Sequence, residues 1–370
     1  MSWAIKMNYA LPFLALFHGL CHFLGLASAL QLIQSPRFSM TISKSAGTAW
    51  GVVGVLFMLV GGTSLLQLEY TWFLILVAII PSQLLIVSSW KDAKYGTIVN
   101  VILLVWGITG YAAWNYQREF TLDVTANLSQ PNYFEKELLT EQDLAPLPEP
   151  VQRYIRTTGA VGKPKVNNFR VDFIGKIRSK EQGVWMPFSS RQYDYLTTPT
   201  RLFFLDAQMK QLPVAGYHRY VNGRATMDIR LLSIFPVQYA EGVEMNEAET
   251  VTFFNDMAIM APATLIDPRI KWLESDSLKA RAALTVNGIT IRATLFFRPD
   301  GQLINFESFD RYNAEAKQRM RWTTPVKAYG ELNGLRLGVV AETRYSYPDG
   351  DFSYGEFRMT KVEYNLRSPE

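Results

Sequence analysis

The sequence predicts an α-helical four-helix transmembrane domain followed by an α+β domain built on a curved antiparallel β-meander, a half-barrel, with one inserted helix. Three observations carry this expectation. Four long apolar runs without Asp, Glu, Lys or Arg fill the first third of the chain. From Val166 onward, short alternating runs are punctuated by tight-turn pairs. The charge is also split: residues 1–118 hold six Lys/Arg and two Asp/Glu, while the remaining 252 hold 31 of each sign, so the net charge of +4 belongs to the apolar third.

The four runs cover approximately 11–33, 47–66, 70–89 and 97–114, each long enough for the ~20 helical residues that cross a bilayer. Trp50, Tyr70, Trp72, Trp90 and Trp114 lie near their ends, where aromatic side chains favour the membrane interface. Ala27-Ser28-Ala29 has the small residues of a signal-peptide cleavage site. The apolar run before it is longer than a signal core and only Lys6 precedes it, so the run is read as a span.

Orientation follows from the basic residues between spans. The first connector holds Arg37 and Lys44 and the third holds Lys91 and Lys94, against Lys6 and Arg118 on the other side. This predicts a multi-pass plasma (inner) membrane protein whose C-terminal domain lies on the extracytoplasmic side. The expected domains are 1–117 for the four spans, 118–147 for a linker with a short helix near 134–139, and 148–370 for the β domain. One cysteine excludes an intramolecular disulfide and a Cys-rich metal site. No cofactor is expected. The β domain has no net basic excess, which argues against nucleic acid as a partner.

Pro148 and Glu149 open a helix with Val151, Tyr154 and Ile155 on one face and Gly159 as its stop. Asn222-Gly223, Asn287-Gly288 and Asn333-Gly334 suit two-residue hairpin turns, which need positive φ at both positions. Runs at 166–178, 191–195, 201–209, 214–221, 225–232, 289–297, 303–312, 339–347 and 353–364 alternate, as in Ile289, Ile291, Ala293, Leu295 and Phe297 on one face. They predict roughly ten antiparallel strands. A helix interrupts them, with Asn246 as its expected N-cap and Pro262 as its end.

Chemistry-bearing residues are few. His18 and His22 share one face of the first span. They are weak candidates for a metal or haem site, and interhelical hydrogen bonding is the simpler role for them. Glu241, Glu244, Glu247, Glu249 and Asp256 cluster around the inserted helix. They could serve acid–base chemistry, but such a run is expected to be a solvated first turn. His218 stands alone on a strand, and neither a nucleophile elbow nor a phosphate loop is present. The aromatic-rich strands suggest a hydrophobic site closed by the helix. Its lining is expected to include Trp272, Arg311, Trp322 and Tyr329, with aromatic faces for an apolar ligand and Arg311 for an anionic headgroup.

The segment Leu147-Pro148-Glu149-Pro150-Val151-Gln152-Arg153-Tyr154 introduces a pattern that runs to the end of the chain. It continues through Ala248-Glu249-Thr250-Val251, Asn255-Asp256-Met257, Pro262, Trp272, Arg311, Trp322-Thr323-Thr324-Pro325 and Tyr354-Gly355-Glu356. This pattern resembles a bacterial family of unknown function, which implies no transferable chemistry. The order of helix, meander, helix and meander is similar to the LolA-like lipoprotein-carrier half-barrel. The four spans loosely resemble DoxX-like modules in length and number. The leading functional expectation is a non-enzymatic membrane protein whose outer β domain binds a lipophilic small molecule, a lipoprotein or another envelope component. The alternative is a membrane enzyme, either a redox protein using His18 and His22 or a hydrolase using the Glu241–Asp256 region.

Overall fold

The computed structural model describes residues 9–33, 42–129, 137–210 and 212–369. Lys6 and Arg37, which enter the orientation argument, lie outside them. The chain divides into two compact units, Met1–Tyr116 and Gln117–Glu370.

The first unit contains α1 (Ala10–Ala29), α2 (Lys44–Leu65), α3 (Thr71–Ser88), the single turn α4 (Trp90–Ala93) and the start of α5 (Gly96–Leu128). The four long helices are long and apolar enough to cross a membrane. Phe13, Leu20, Ile80 and Leu84 are each more than half exposed. Large apolar side chains facing outward on every helix suit hydrocarbon rather than water, which marks a membrane protein. The unit's interior is packed by Ala15, Val53, Phe57, Val60, Ile75 and Leu103. Glycines let α1 and α2 meet backbone to backbone. A Cβ on Gly47 would lie 2.1 Å from the Ala29 Cβ, and one on Gly25 would lie 2.5 Å from the Trp50 ring.

The fourth helix is longer than the sequence suggests. The apolar run ends at Trp114, but no Gly or Pro follows before Leu128, and the helix continues to that residue. Part of the expected linker is therefore helix. Half of the short helix expected near 134–139 falls outside the described residues; residues 137–139 are not helical, and Leu138 bridges Pro164. Leu139 and Leu144 are buried in the core of the second unit rather than solvated.

That unit begins its globular part with α6 (Glu141–Leu144) and α7 (Glu149–Thr158). As expected, α7 starts after Pro148 and ends at Gly159, whose φ of 75° closes the helix. The remainder is a curled, fully antiparallel fourteen-stranded sheet. Its strands are β1 (Asn168–Ile177), β2 (Met186–Tyr195), β3 (Thr200–Met209), β4 (Leu212–Val221), β5 (Arg224–Leu231), β6 (Phe235–Glu241) and β7 (Ile270–Ser275). They continue with β8 (Lys279–Val286), β9 (Ile289–Phe297), β10 (Leu303–Asn313), β11 (Gln318–Thr323), β12 (Val326–Leu332), β13 (Leu335–Tyr347) and β14 (Gly350–Tyr364).

The sheet runs from β6 back through β5, β4, β3, β2 and β1, then through β14, β13, β11, β10, β9 and β8 to β7, with β12 paired to β13. The three Asn-Gly turns have positive φ at both residues, as expected, with 48° and 83° at Asn222-Gly223. Five strands have no counterpart among the runs read from the sequence: β6, β7, β8, β11 and β12. The first is mainly exposed, and the other four are short and carry charges among a few apolar residues, as in Gln318–Thr323 of β11.

Topology also dictates the inserted helix. The strands β6 and β7 occupy opposite edges of the sheet, yet they are consecutive in the chain. The connection, α8 (Val243–Met260) and the 3-10 turn Pro262–Ile266, must therefore cross the sheet's face. Every residue from Ala248 to Met260 is consequently buried. The helix is capped at Gly242, not at Asn246. Asn246 lies in the first turn, where its side chain accepts the Ala225 backbone N–H at 2.6 Å.

Candidate functional site

The site is built where α8 meets the inward face of the sheet. Alternation places Gln192 and Asp194 of β2 on the same face, and Asp194 stands opposite Arg201 of β3. Phe203 follows Arg201 on that face and pairs with His218 of β4. From the helix come Glu249 and Asp256, seven residues apart and so about two turns along one side.

These groups form a closed polar network. Arg201 donates from Nε to Asp256 Oδ2 at 2.6 Å, from Nη1 to Glu249 Oε2 at 3.0 Å, and from Nη2 to Gln192 Oε1 at 3.0 Å. Gln192 Nε2 reaches Asp256 Oδ2 at 2.8 Å and Asp194 Oδ2 at 2.6 Å. The other Glu249 oxygen faces His218 Nδ1 at 3.9 Å and Arg311 Nη2 at 3.8 Å. Arg201, Glu249, Asp256, Asp194 and Gln192 are all buried.

Buried charges persist only when paired and hydrogen-bonded, and the three carboxyls meet that condition differently. Burial pushes the Glu249 carboxyl up, but Arg201, His218 and Arg311 outweigh it and hold it at about 2. Burial raises Asp256 despite Arg201. Burial, reinforced by the negative charge of Asp256, holds Asp194 well above the usual carboxylate range. Arg201 and Arg311 thus face the Glu249 carboxylate together with two carboxyls that burial pushes towards their neutral form. The expectation of a solvated acidic run thus applies to Glu241 and Glu244, which are exposed, and not to Glu249 or Asp256. Glu247 holds Arg319 through two hydrogen bonds.

Beside the network lies a cavity of about 140 Å³. Its lining includes the charged or polar Gln192, Arg201, His218, Glu249, Asp256 and Arg311 and the apolar Phe173, Ile259, Met260, Val339, Phe357 and Met359. Arg311 stacks over Trp322, 4.6 Å from guanidinium carbon to ring centroid, and donates to the Tyr345 hydroxyl at 2.9 Å. The Trp322 indole donates to the Tyr354 hydroxyl at 2.9 Å.

Of the four residues expected to line a ligand site, Arg311 and Trp322 meet at this cavity. Trp272 sits on the edge strand β7, half-buried against the core, and Tyr329 on β12 donates its hydroxyl to the Leu303 carbonyl at 2.9 Å. Neither borders the cavity. Sequence reasoning missed Gln192, Asp194 and Arg201. The available signal was Arg201 at the head of Leu202-Phe203-Phe204-Leu205, a strand apolar on both faces; a cation there is buried and requires carboxylates.

In the helical unit, His18 Nε2 lies 3.0 Å from Asn100 Oδ1 and His22 Nε2 lies 3.0 Å from Ser82 Oγ. These are interhelical hydrogen bonds from α1 to α5 and α3. No cluster of three or more His, Cys, Asp or Glu able to hold a metal occurs among the described residues.

A model of the family of unknown function DUF6544 matches residues 137–357, more than half of the chain. Among solved structures, one similar chain is described as an outer membrane lipoprotein-sorting protein domain from Vibrio parahaemolyticus. It is 8% identical, with a TM-score of 0.35 over 55% of this chain and 88% of that one. Another is a DUF1329 family protein from Desulfovibrio piger, 10% identical, with a TM-score of 0.35 over 59% of this chain and 92% of that one. No curated protein sequence matches the chain.

Proposed function

The chain belongs to the DUF6544 family of unknown function, and we propose that it is a membrane-held binding protein whose β domain takes an amphipathic, lipophilic molecule under α8. One observation carries this reading: the cavity is lined both by apolar side chains and by buried charged ones. Its volume of about 140 Å³ is near that of an engineered apolar cavity that accepts benzene. It therefore suits one end of a molecule, such as the terminus of a chain or a ring, rather than a whole lipid. Arg311 offers a polar partner that stacking on Trp322 holds in place.

The β domain is further proposed to lie outside the cytoplasm, in the cell envelope. Support comes from Arg37, Lys44, Lys91 and Lys94 on the first and third connectors, against Lys6 and Arg118. A lipoprotein or another envelope component would then be within reach as the ligand's source.

The test is extraction of the purified full-length chain with organic solvent, followed by mass spectrometry. A lipophilic molecule at fixed stoichiometry, lost when Ala341→Phe fills the cavity, is the expected result. A wild-type protein with no such molecule, or one whose bound lipid is unchanged by Ala341→Phe, overturns the proposal.

A hydrolase is a second reading, favoured by one detail. Glu249 is held ionised while burial raises Asp256, so two carboxyls at one cavity differ in readiness to hold a proton. Turnover of an ester or glycoside that Glu249→Gln abolishes, with the fold intact, would select it.

A further inference from the structure

Most polar side chains that line the cavity under α8 already have their hydrogen bonds. Arg201 and Gln192 are engaged within the network. Thr252 donates to the Ala248 carbonyl and Thr324 to Asn255 Oδ1, and Glu342 is held by Lys327 at 3.2 Å and by Arg344. Two atoms differ. Glu249 Oε1 and Arg311 Nη2 face each other at 3.8 Å, too far apart to bond. Neither is sealed off. Arg311 Nε is enclosed without a partner, but Arg311 Nη2 and Glu249 Oε1 are not among the described atoms so enclosed. A water-sized atom can therefore touch both.

That pair sets the chemistry of what it holds. An oxygen roughly 2.9 Å from each atom fits across the gap. To satisfy both, it must accept from the guanidinium and donate to the carboxylate, and a hydroxyl does both at one oxygen. A carboxylate tip accepts from Arg311 but sets its charge equally close to Glu249, which Arg201, His218 and Arg311 hold ionised, and it has no proton to give. An ammonium tip donates to Glu249 but meets Arg311 with no lone pair to offer. A hydrocarbon tip leaves both atoms without a partner. Arg201 and Glu342 add one further charge of each sign to the lining, so they favour neither ion.

We infer, on the reading of this cavity as the lipophile site, that the ligand's buried tip is an uncharged hydroxyl bridging Arg311 Nη2 and Glu249 Oε1. The site then selects an alcohol, the hydroxylated end of a chain or ring, over the matching acid, amine or hydrocarbon. This replaces the expectation that Arg311 receives an anionic headgroup.

His218 reports on the gap, because its Nδ1 lies 3.9 Å from Glu249 Oε1. The chain's other two histidines, His18 and His22, belong to the helical unit and serve as internal controls. The experiment is ¹⁵N-histidine spectroscopy of the full-length protein in lipid nanodiscs, titrated with toluene, benzyl alcohol, benzoate and benzylamine. These share a benzene-sized ring, which the cavity's volume suits, and differ at the tip. Benzyl alcohol should shift His218 saturably and leave His18 and His22 unmoved. At equal free concentration it should bind at least about tenfold more tightly than the other three, as hydrogen bonds to charged groups provide. A folded Arg311→Met variant should bind benzyl alcohol no more tightly than toluene. Toluene bound as tightly as benzyl alcohol by the wild type, or benzoate or benzylamine bound more tightly, overturns the hydroxyl and leaves the cavity a lipophile site. A His218 signal that no probe moves overturns both. The contrast is among probes on the unaltered protein, so it stands even where the variant does not fold.

Discussion

Replacing Arg201 with methionine keeps most of the side chain's volume and removes the charge that the network is built on. Three hydrogen bonds of 2.6 to 3.0 Å disappear, to Asp256, Glu249 and Gln192. Two carboxylates are then left in a site where each is at most 2% exposed. Removing one partner of a buried ion pair costs ~3–5 kcal/mol. Linkage gives a similar figure. The fall of the Glu249 carboxyl from 4.5 to about 2 corresponds to ~3 kcal/mol of stability present above its unfolded value and lost as pH falls towards 2.

Without Arg201, burial is opposed only by His218 and Arg311 at Glu249 and by Gln192 at Asp256, so both carboxyls take up protons more readily. The deficit of Arg201→Met should therefore be ~3–5 kcal/mol at pH 8 and narrower at pH 5. Pulse proteolysis of the full chain in nanodiscs across a urea series, at both pH values, measures it. A deficit below ~1 kcal/mol at pH 8, or one that widens at pH 5, would refute the reasoning.

Three further outcomes follow from individual contacts. Burial raises the Asp206 carboxyl from 3.8 to about 6, so its favourable contribution is complete below 3.8 and lost as pH rises through 6. Asp206→Asn should therefore stabilise the β domain by up to ~3 kcal/mol at pH 8 and negligibly at pH 4, read from the same urea series. A Cβ on Gly175 would lie 2.1 Å from the Glu356 carbonyl oxygen and 2.7 Å from the Phe188 ring. Gly175→Ala should thus cost ~1–3 kcal/mol and speed amide exchange along β1 and β14, whereas unchanged exchange would speak against the close approach. The Tyr364 hydroxyl donates to the Met260 carbonyl, one of the unpaired C-terminal acceptors of α8, at 2.6 Å. Tyr364→Phe should cost ~1–3 kcal/mol in the urea series.

Legibility in the sequence tracked how local each feature is. The spans were readable because uncharged length alone marks them, and the Asn-Gly turns because two adjacent residues determine the conformation. The end of α5 was not, since residues 115–128 have no apolar run to advertise a helix and only the absence of Gly and Pro lets it continue. The strand β6 escaped although Phe235, Val237 and Tyr239 alternate along it, because Pro236 inside so short a run argues against a strand. The site was half legible. Arg311 and Trp322 were named for their chemistry, but Glu249 and Asp256 look like any acidic helix face until Arg201, some fifty residues away in sequence, is known to lie against them.

That long-range dependence explains why the network and the cavity occur together. The chain reaches the far edge of the sheet only by carrying α8 across the inward face, so a helix with polar residues all round must be buried there. Its charges then require sheet partners, and Arg201, Gln192 and Arg311 supply them. A fully packed interface would leave these groups balanced and inert. Here the packing stops short on one side, where Glu249 Oε1 faces His218 and Arg311 at 3.9 and 3.8 Å, beyond hydrogen-bond range. An oxygen and a guanidinium held that far apart beside open volume can each accept a new partner without breaking an existing hydrogen bond. On the proposed reading, a ligand's polar tip would act at that gap while Phe173, Phe357 and Met359 take its apolar body. Its affinity should therefore depend on Arg311 far more than on Arg201, whose hydrogen bonds are already made.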